Sequence, residues 1–275
     1  MEDDGGTEYL KLPVEERCVH KLWKARLNGY EEATKVFQKI DDEKSPEWNK
    51  YAPLIKKFVV DSNAAAQEKG LEAALAFVEN SKLALKTVGD VMNGIVGKCL
   101  GAPKAKTKEN AMSVALMYVE VEKYDTVQEE LLKGFSQKNP KVAAACVSVF
   151  TLILREFGPK VLNLKTLMKQ VPVILDHRDG TVREEGKKLC IELYRWIGPA
   201  LKPFMQDLKP VQVSELEAEF EKLPNGKPQP TRFLRSEQEK RAKQAAETGG
   251  DEADGGTMND GMRCLKLRLQ VIMFS

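Results

Sequence analysis

The sequence predicts an all-α fold, a solenoid of about five to six helical hairpins, on three observations. Amphipathic stretches carry a recurring small residue, polar turns divide them, and β-forming runs are short. The small residue stands in the first or second turn of its helix at Ala33, Gly70, Ala111, Cys146 and Gly186. The intervals, by subtraction, are 37, 41, 35 and 40 residues. Seven positions before each, at the start of the preceding turn, stand Arg26, Asn63, Lys104, Asn139 and Asp179. A period of about 40 residues is that of two-helix HEAT-like repeats. Each such unit buries its apolar face only by stacking on its neighbours. A single match would mean little, since small residues are common in helices; the regular spacing carries the inference.

Taken in order, the first unit starts at Pro13, a residue suited to a helix start, with Val14, Cys18, Leu22 and Trp23 toward one face. Its helix is expected to end between Lys24 and Asn28, with Gly29 as the break before a return helix from Tyr30 to Ile40. Trp23 then falls beside the turn, either as ordinary core or as an exposed binding anchor of the kind enriched in hot spots. The second unit runs from Trp48 to Val60 and from Asn63 to Glu79, joined by Asp61 and Ser62, both able to cap a helix. The third runs from Leu83 to Leu100, through the loop GAPKAK, and from Thr107 to Val121. In the fourth, Thr126 to Phe135 turns at Gln137 to Asn139 and returns from Pro140, a first-turn proline behind an asparagine cap. The fifth runs from Val161 to Leu175. It then passes through the turn at Asp179 into a helix with Val182, Gly186, Leu189, Cys190, Leu193 and Ile197 on one stripe. Segments 199–208 and 213–223 are expected to cap the stack, as solenoids require. Residues 1–224 thus read as one repeat domain. Residues 225–275, rich in proline, glycine and charge, read as a linker and low-complexity tail without fixed structure. The last fifteen residues, GMRCLKLRLQVIMFS, read as the novel end of a spliced or truncated product rather than as a docking peptide.

Composition agrees. Of 275 residues 42% are hydrophobic, 31% charged and only 7% aromatic, which supplies one sizeable core and an ionic surface. The formal net charge of +2 gives no reason to expect wholesale polyanion binding, so local charge has to decide. Five cysteines, Cys18, Cys99, Cys146, Cys190 and Cys264, show no metal-ligand spacing, and an odd count argues against a disulfide framework. Four of them read as small core residues. No signal peptide stands at MEDDGGTEYL, and no apolar run approaches the roughly 18 residues that span a bilayer. A soluble intracellular protein without cofactor or metal is expected. Catalysis is not, because His20 and His177 stand far apart with no nucleophile elbow, phosphate loop or metal spacing near either.

In a hairpin stack the turns of one kind line up along a single edge, about 10 Å apart, the usual spacing of packed helices. That row holds Trp23, Lys24 and Arg26, then Asp61, Ser62 and Asn63, then Lys104 and Lys106, then Lys138 and Lys141, then Arg178 and Arg183. One aromatic stands at an end, and cations dominate the rest. Such an edge steers an acidic partner.

The segment EYLKLPVEERCVHKLWKARLNGYEEATKVFQKIDDEKSPEW, with KGLEAALAFVEN, PKAKTKE, VQEELLKGFSQKNPKV and PTRFLRSEQE, resembles the first TOG domain of the ch-TOG and Minispindles family of microtubule polymerases. The resemblance spans residues 8–238. It implies paired HEAT repeats that bind one curved, unpolymerised αβ-tubulin heterodimer through the intra-repeat turns, as a monomer. By the same resemblance Trp23, with Lys24, packs on β-tubulin as an exposed anchor, with Val60, Asp61, Ser62 and Asn63 beside it. Lys104, Lys106, Lys138 and Lys141 continue the contact, and Arg183 reaches α-tubulin. The family implies a cytoplasmic, cytoskeletal location at microtubule plus ends, spindle poles, centrosomes and kinetochores, away from membranes and nucleic acid. Family members carry several such domains. One domain is expected to bind free tubulin without driving elongation, because linked sites gain an effective concentration that a single site lacks. Two rivals stand beside this reading. A nucleic-acid binder would lose affinity steeply with salt. A peptide-binding scaffold would use helix faces and tolerate changes in the turns.

Overall fold

The structure, a computed structural model, describes residues 7–248. In four of the five recurring turns the residue seven positions before the small one stands at the N-cap of the next helix, and in three of them its side chain caps that helix. Asn63 accepts the N–H groups of Ala65 and Ala66 at 3.0 and 3.1 Å. Asn139 accepts that of Lys141 at 3.1 Å, and Asp179 those of Thr181 and Val182 at 2.9 and 3.4 Å. Lys104 holds the same place with extended backbone and no side-chain cap. The helices that follow are α5 (Ala64–Asn80), α7 (Ala105–Glu120), α9 (Pro140–Phe157) and α12 (Gly180–Ile197).

The first unit departs from expectation. Its opening helix, α1 (Val14–Arg17), is a single turn, and the return helix α2 starts at Trp23 and runs unbroken to Lys39. Leu22 is the N-cap residue, not a core position of the first helix. Gly29 does not break the helix. It is buried where a Cβ would lie 2.7 Å from the Cys18 nitrogen, so only glycine lets the helices approach. Gly29 is therefore the true counterpart of Gly70, where a Cβ would meet the Phe58 carbonyl oxygen at 2.2 Å. Counted from the caps Leu22, Asn63, Lys104, Asn139 and Asp179, the intervals become 41, 41, 35 and 40 residues. Ala33, also buried, lies one helical turn further on.

The first helices of the hairpins are broken where the second helices are continuous. In the second unit α3 (Trp48–Tyr51), a 3-10 turn at Ala52–Leu54 and α4 (Ile55–Val59) replace one helix, with Pro53 at the interruption. In the third, a 3-10 stretch at Lys82–Lys86 precedes α6 (Val88–Gly94), which widens into a π-helical turn at Ile95–Cys99. The fourth keeps one helix, α8 (Tyr124–Gly134). The fifth has α10 (Leu164–Met168) and α11 (Val171–Leu175), and a sixth pair consists of a 3-10 stretch at Gly198–Met205 and α13 (Pro210–Glu221). Among the described residues there is no strand.

The long second helices stack in parallel, and contacts at both ends establish the sense. Asp61, ahead of α5, bonds Arg26 in the first turns of α2. At the other end Arg232 joins Glu120 of α7 to Glu156 of α9, and Glu192 of α12 lies 3.8 Å from Arg155 of α9. Every intra-repeat turn therefore lies on one edge, and the helix C-termini lie on the opposite one. The core is apolar and dense. Phe37, Trp48, Tyr51 and Phe77 form an aromatic cluster between the first two repeats, with ring centroids 4.8 to 5.7 Å apart. Cys18, Cys99, Cys146 and Cys190 are buried free thiols, and burial pushes each up to about 12. Cys264 and the terminal segment from Gly261 lie outside the described residues.

The stretch expected to be linker from residue 225 is not featureless. The N–H groups of Thr231 and Arg232 both donate to the Glu156 carbonyl at 2.9 Å, and the Arg232 guanidinium sits 5.2 Å from the Phe157 ring centre. The first compact unit thus extends through Arg232 rather than ending at residue 224. The second begins at Phe233 and contains α14 (Arg235–Thr248), within which Arg241 lies over the Phe233 ring at 3.6 Å. The linker reading missed this helix because polar composition does not exclude a single helix.

Candidate tubulin-binding edge

The first turn, residues 18–22, is held from inside by one arginine. Nη1 of Arg26 donates to the carbonyls of His20 and Lys21 at 2.9 and 3.0 Å. His20 Nδ1 accepts the Leu22 N–H at 3.1 Å. With the His20 and Lys21 carbonyls and the Leu22 N–H held, the chain turns sharply and sets Leu22 and Trp23 on the surface. Trp23 is 41% exposed and Leu22 39%. Trp48, by contrast, is wholly buried, which resolves Trp23 as surface rather than core. Val19, 45% exposed, adds to the apolar patch, and Lys24 is exposed beside it.

The fifth turn repeats this construction. Nη1 of Arg183 donates to the carbonyls of His177 and Arg178 at 2.7 and 3.0 Å, and His177 Nδ1 accepts the Asp179 N–H at 3.0 Å. The chain's two histidines thus hold equivalent places, each six residues before the arginine that clamps its turn. That spacing stands in the sequence, but no sequence rule shows that both imidazoles accept N–H groups of their turns.

The other edge of each guanidinium differs. Nε and Nη2 of Arg26 grip Asp61 at 2.6 and 2.8 Å, and the Asp61 side chain is 2% exposed. Tyr30 Oη donates to the same carboxylate at 2.9 Å, as does the Asn63 N–H. Burial pushes the Asp61 carboxyl up, but these hydrogen bonds and the Arg26 charge outweigh it and hold the group below the usual carboxylate range. The same pairing raises Arg26, and burial raises Tyr30. Nε and Nη2 of Arg183 have no hydrogen bond among the described residues. Asp176, which feels the Arg183 charge, bonds Lys209 at 2.6 Å instead.

The remaining positions fall along the same edge with unequal availability. Val60 packs toward Gly94, where an added Cβ would meet its Cγ1 at 2.8 Å. Ser62 is exposed, and Asn63 is occupied as a cap. The turn is braced beneath by Gln67, whose amide donates to the Val59 carbonyl at 2.9 Å, and by the Cys99 thiol, 3.0 Å from the same oxygen. Lys104 is ion-paired with Glu68 of the preceding repeat. Lys106, Lys138 and Lys141 are exposed and form no ion pair among the described residues. The edge is thus an apolar patch at one end, lysines without an ion pair among the described residues in the middle, and at the other end a guanidinium whose Nε and Nη2 likewise have no hydrogen bond there. Asp61 lies behind it, turned inward.

Comparison with known proteins places this architecture. Residues 8–220 match the XMAP215/Dis1/CLASP TOG domain. The chain is 61% identical to Protein mini spindles of Drosophila melanogaster over 253 residues, which cover 90% of this chain and 12% of that protein. It is 38% identical to alp14, a spindle pole body component of Schizosaccharomyces pombe, over 86% of this chain and 30% of the other. The chain therefore spans a small part of these relatives. Among solved structures, a microtubule polymerase with a TOG domain array, described for tubulin recruitment and assembly, superposes with a TM-score of 0.77 at 27% identity, covering 84% of this chain and 50% of that one. The third TOG domain of Drosophila Mini spindles gives 0.71 at 26% identity, covering 81% of this chain and all of that one. Repeat period, turn geometry and these matches agree: the chain belongs to the XMAP215/Dis1/CLASP family and carries its TOG domain.

Proposed function

We propose that this domain captures one αβ-tubulin heterodimer in its curved, unpolymerised form through the row of intra-repeat turns. The observation that carries the reading is the exposed Trp23 and Leu22 at one end of an edge whose far end offers the open side of Arg183. A large, rigid aromatic and a guanidinium with a free fork are the groups that supply most binding energy at protein interfaces. Lys24, Lys106, Lys138 and Lys141 lie on the same edge and steer an acidic partner toward it. Trp23 and its neighbours face β-tubulin, and Arg183 faces α-tubulin. A rigid edge that touches two subunits loses contacts at one end when the dimer straightens, so it favours the curved form by that difference. Val60, Ser62 and Asn63 shape the second turn beside Trp23.

The relatives named for the spindle pole body and the centrosome support a cytoskeletal role at those structures for the longer proteins. A single domain supplies binding; elongation needs linked sites. The test is a competition between unpolymerised tubulin and stabilised microtubules in a sedimentation assay. The chain is expected to stay in the supernatant with free tubulin, and preferential pelleting with microtubules would overturn the curved-dimer reading.

A further inference from the structure

We infer that Asp61 is a positioning residue that locks the first turn to the second, and that it presents Trp23 without touching the partner itself. The inference rests on the tubulin-edge reading and goes beneath it. Asp61 cannot serve as a contact: its side chain is 2% exposed. Its oxygens are spent on Nε and Nη2 of Arg26, on Tyr30 Oη and on the Asn63 N–H. The partners belong to two repeats. Arg26 and Tyr30 lie on α2, while Asp61 and Asn63 form the turn before α5.

The consequence travels through Arg26. Its remaining nitrogen holds the His20 and Lys21 carbonyls at 2.9 and 3.0 Å, immediately ahead of Leu22 and Trp23. A carboxylate in the second repeat thus fixes the guanidinium, the guanidinium fixes two carbonyls of the first turn, and these set the direction in which α2 begins. A bidentate fork constrains angle as well as distance, which a single hydrogen bond does not. In the fifth turn no carboxylate among the described residues bonds the Nε and Nη2 edge of Arg183, since Asp176, which feels its charge, bonds Lys209 instead, so the bidentate lock belongs to the turn that carries the apolar anchor.

The test uses the whole chain with two substitutions. Asp61→Asn keeps the shape but removes the charge, and Arg26→Lys keeps the charge but removes the fork. Amide hydrogen exchange of the free chain is expected to quicken in residues 20–26 for both variants and to stay unchanged in residues 177–183. Tubulin affinity is expected to fall by about tenfold for Asp61→Asn. It should fall equally when Arg183→Ala is already present, and hardly at all when Trp23→Ala is. That pattern separates positioning from general destabilisation, which would lower affinity in every background. Unchanged exchange in residues 20–26 would overturn the lock. Quickened exchange with undiminished affinity would overturn its role in presenting Trp23. A native chain that bound no tubulin while its variants showed the quickened exchange would support the lock and reject the partner.

Discussion

The first and fifth turns share one construction and put it to different ends. Each has a histidine that accepts the N–H two residues on, and an arginine that clamps the carbonyls five and six residues back. In the first turn the outer edge of the guanidinium is filled by Asp61; in the fifth it has no hydrogen bond among the described residues. Arg26 is therefore an internal tie, and its turn exposes Val19, Leu22 and Trp23 beside Lys21 and Lys24. Arg183 ties its turn with one nitrogen, and its Nε and Nη2 form no hydrogen bond among the described residues. Residue type and spacing cannot separate two such arginines, because what distinguishes them is a carboxylate from another repeat.

Substitution should split the pair. Arg26→Ala leaves a buried carboxylate without its counter-charge and is expected to cost about 3 kcal/mol of folding stability, measured by urea denaturation. Arg183→Ala should cost about 2 kcal/mol of tubulin binding but only about 1 kcal/mol of stability, from the two turn carbonyls it releases. Equal stability losses for the two would erase the distinction. Trp23→Ala should likewise cost about 2 kcal/mol of binding, read by titration with unpolymerised tubulin, while circular dichroism stays native.

Acid should act on the first turn through Asp61. Its folded carboxyl lies below the ordinary 3.8, so the unfolded chain takes up the proton first as pH falls. The stabilisation is complete above the unfolded value and is lost as pH drops through the lower, folded one. Stability curves of the native chain and Asp61→Asn should therefore converge below about pH 4. A gap that persisted into stronger acid would place the effect elsewhere.

The histidines give the smallest expected effect. His20→Ala and His177→Ala each remove one acceptor from a turn N–H and should cost about 1 kcal/mol of stability, with hydrogen exchange rising in the affected turn alone. Spread of that change to the opposite turn would contradict the independence of the two constructions.

Much of this architecture was legible in the sequence. The caps Asn63, Asn139 and Asp179, the proline at 140 and the repeat period are local chemistry, and each stands where helix-start rules place it. The first repeat was misphased because Gly29 reads as a breaker when its partner is unseen. Only the approach of Cys18 explains a glycine in mid-helix. The same shift hid Leu22 and Val19, counted as core or passed over, although both are exposed at the turn. Asp61 and Lys104 were visible as turn residues, but their ion pairs with Arg26 and Glu68 join different repeats and appear only once the helices are stacked. The docking of Arg232 on Glu120 and Glu156 is of the same kind.

In the proposed reading, one edge of turns captures the heterodimer from both ends. Size-exclusion chromatography with light scattering, on the chain mixed with unpolymerised αβ-tubulin and beside a Trp23→Ala, Arg183→Ala double variant, tests it most directly. A one-to-one complex for the native chain and none for the folded variant is the predicted result. A complex of equal stability for both would contradict the assignment of the edge, and no complex for either would contradict the partner.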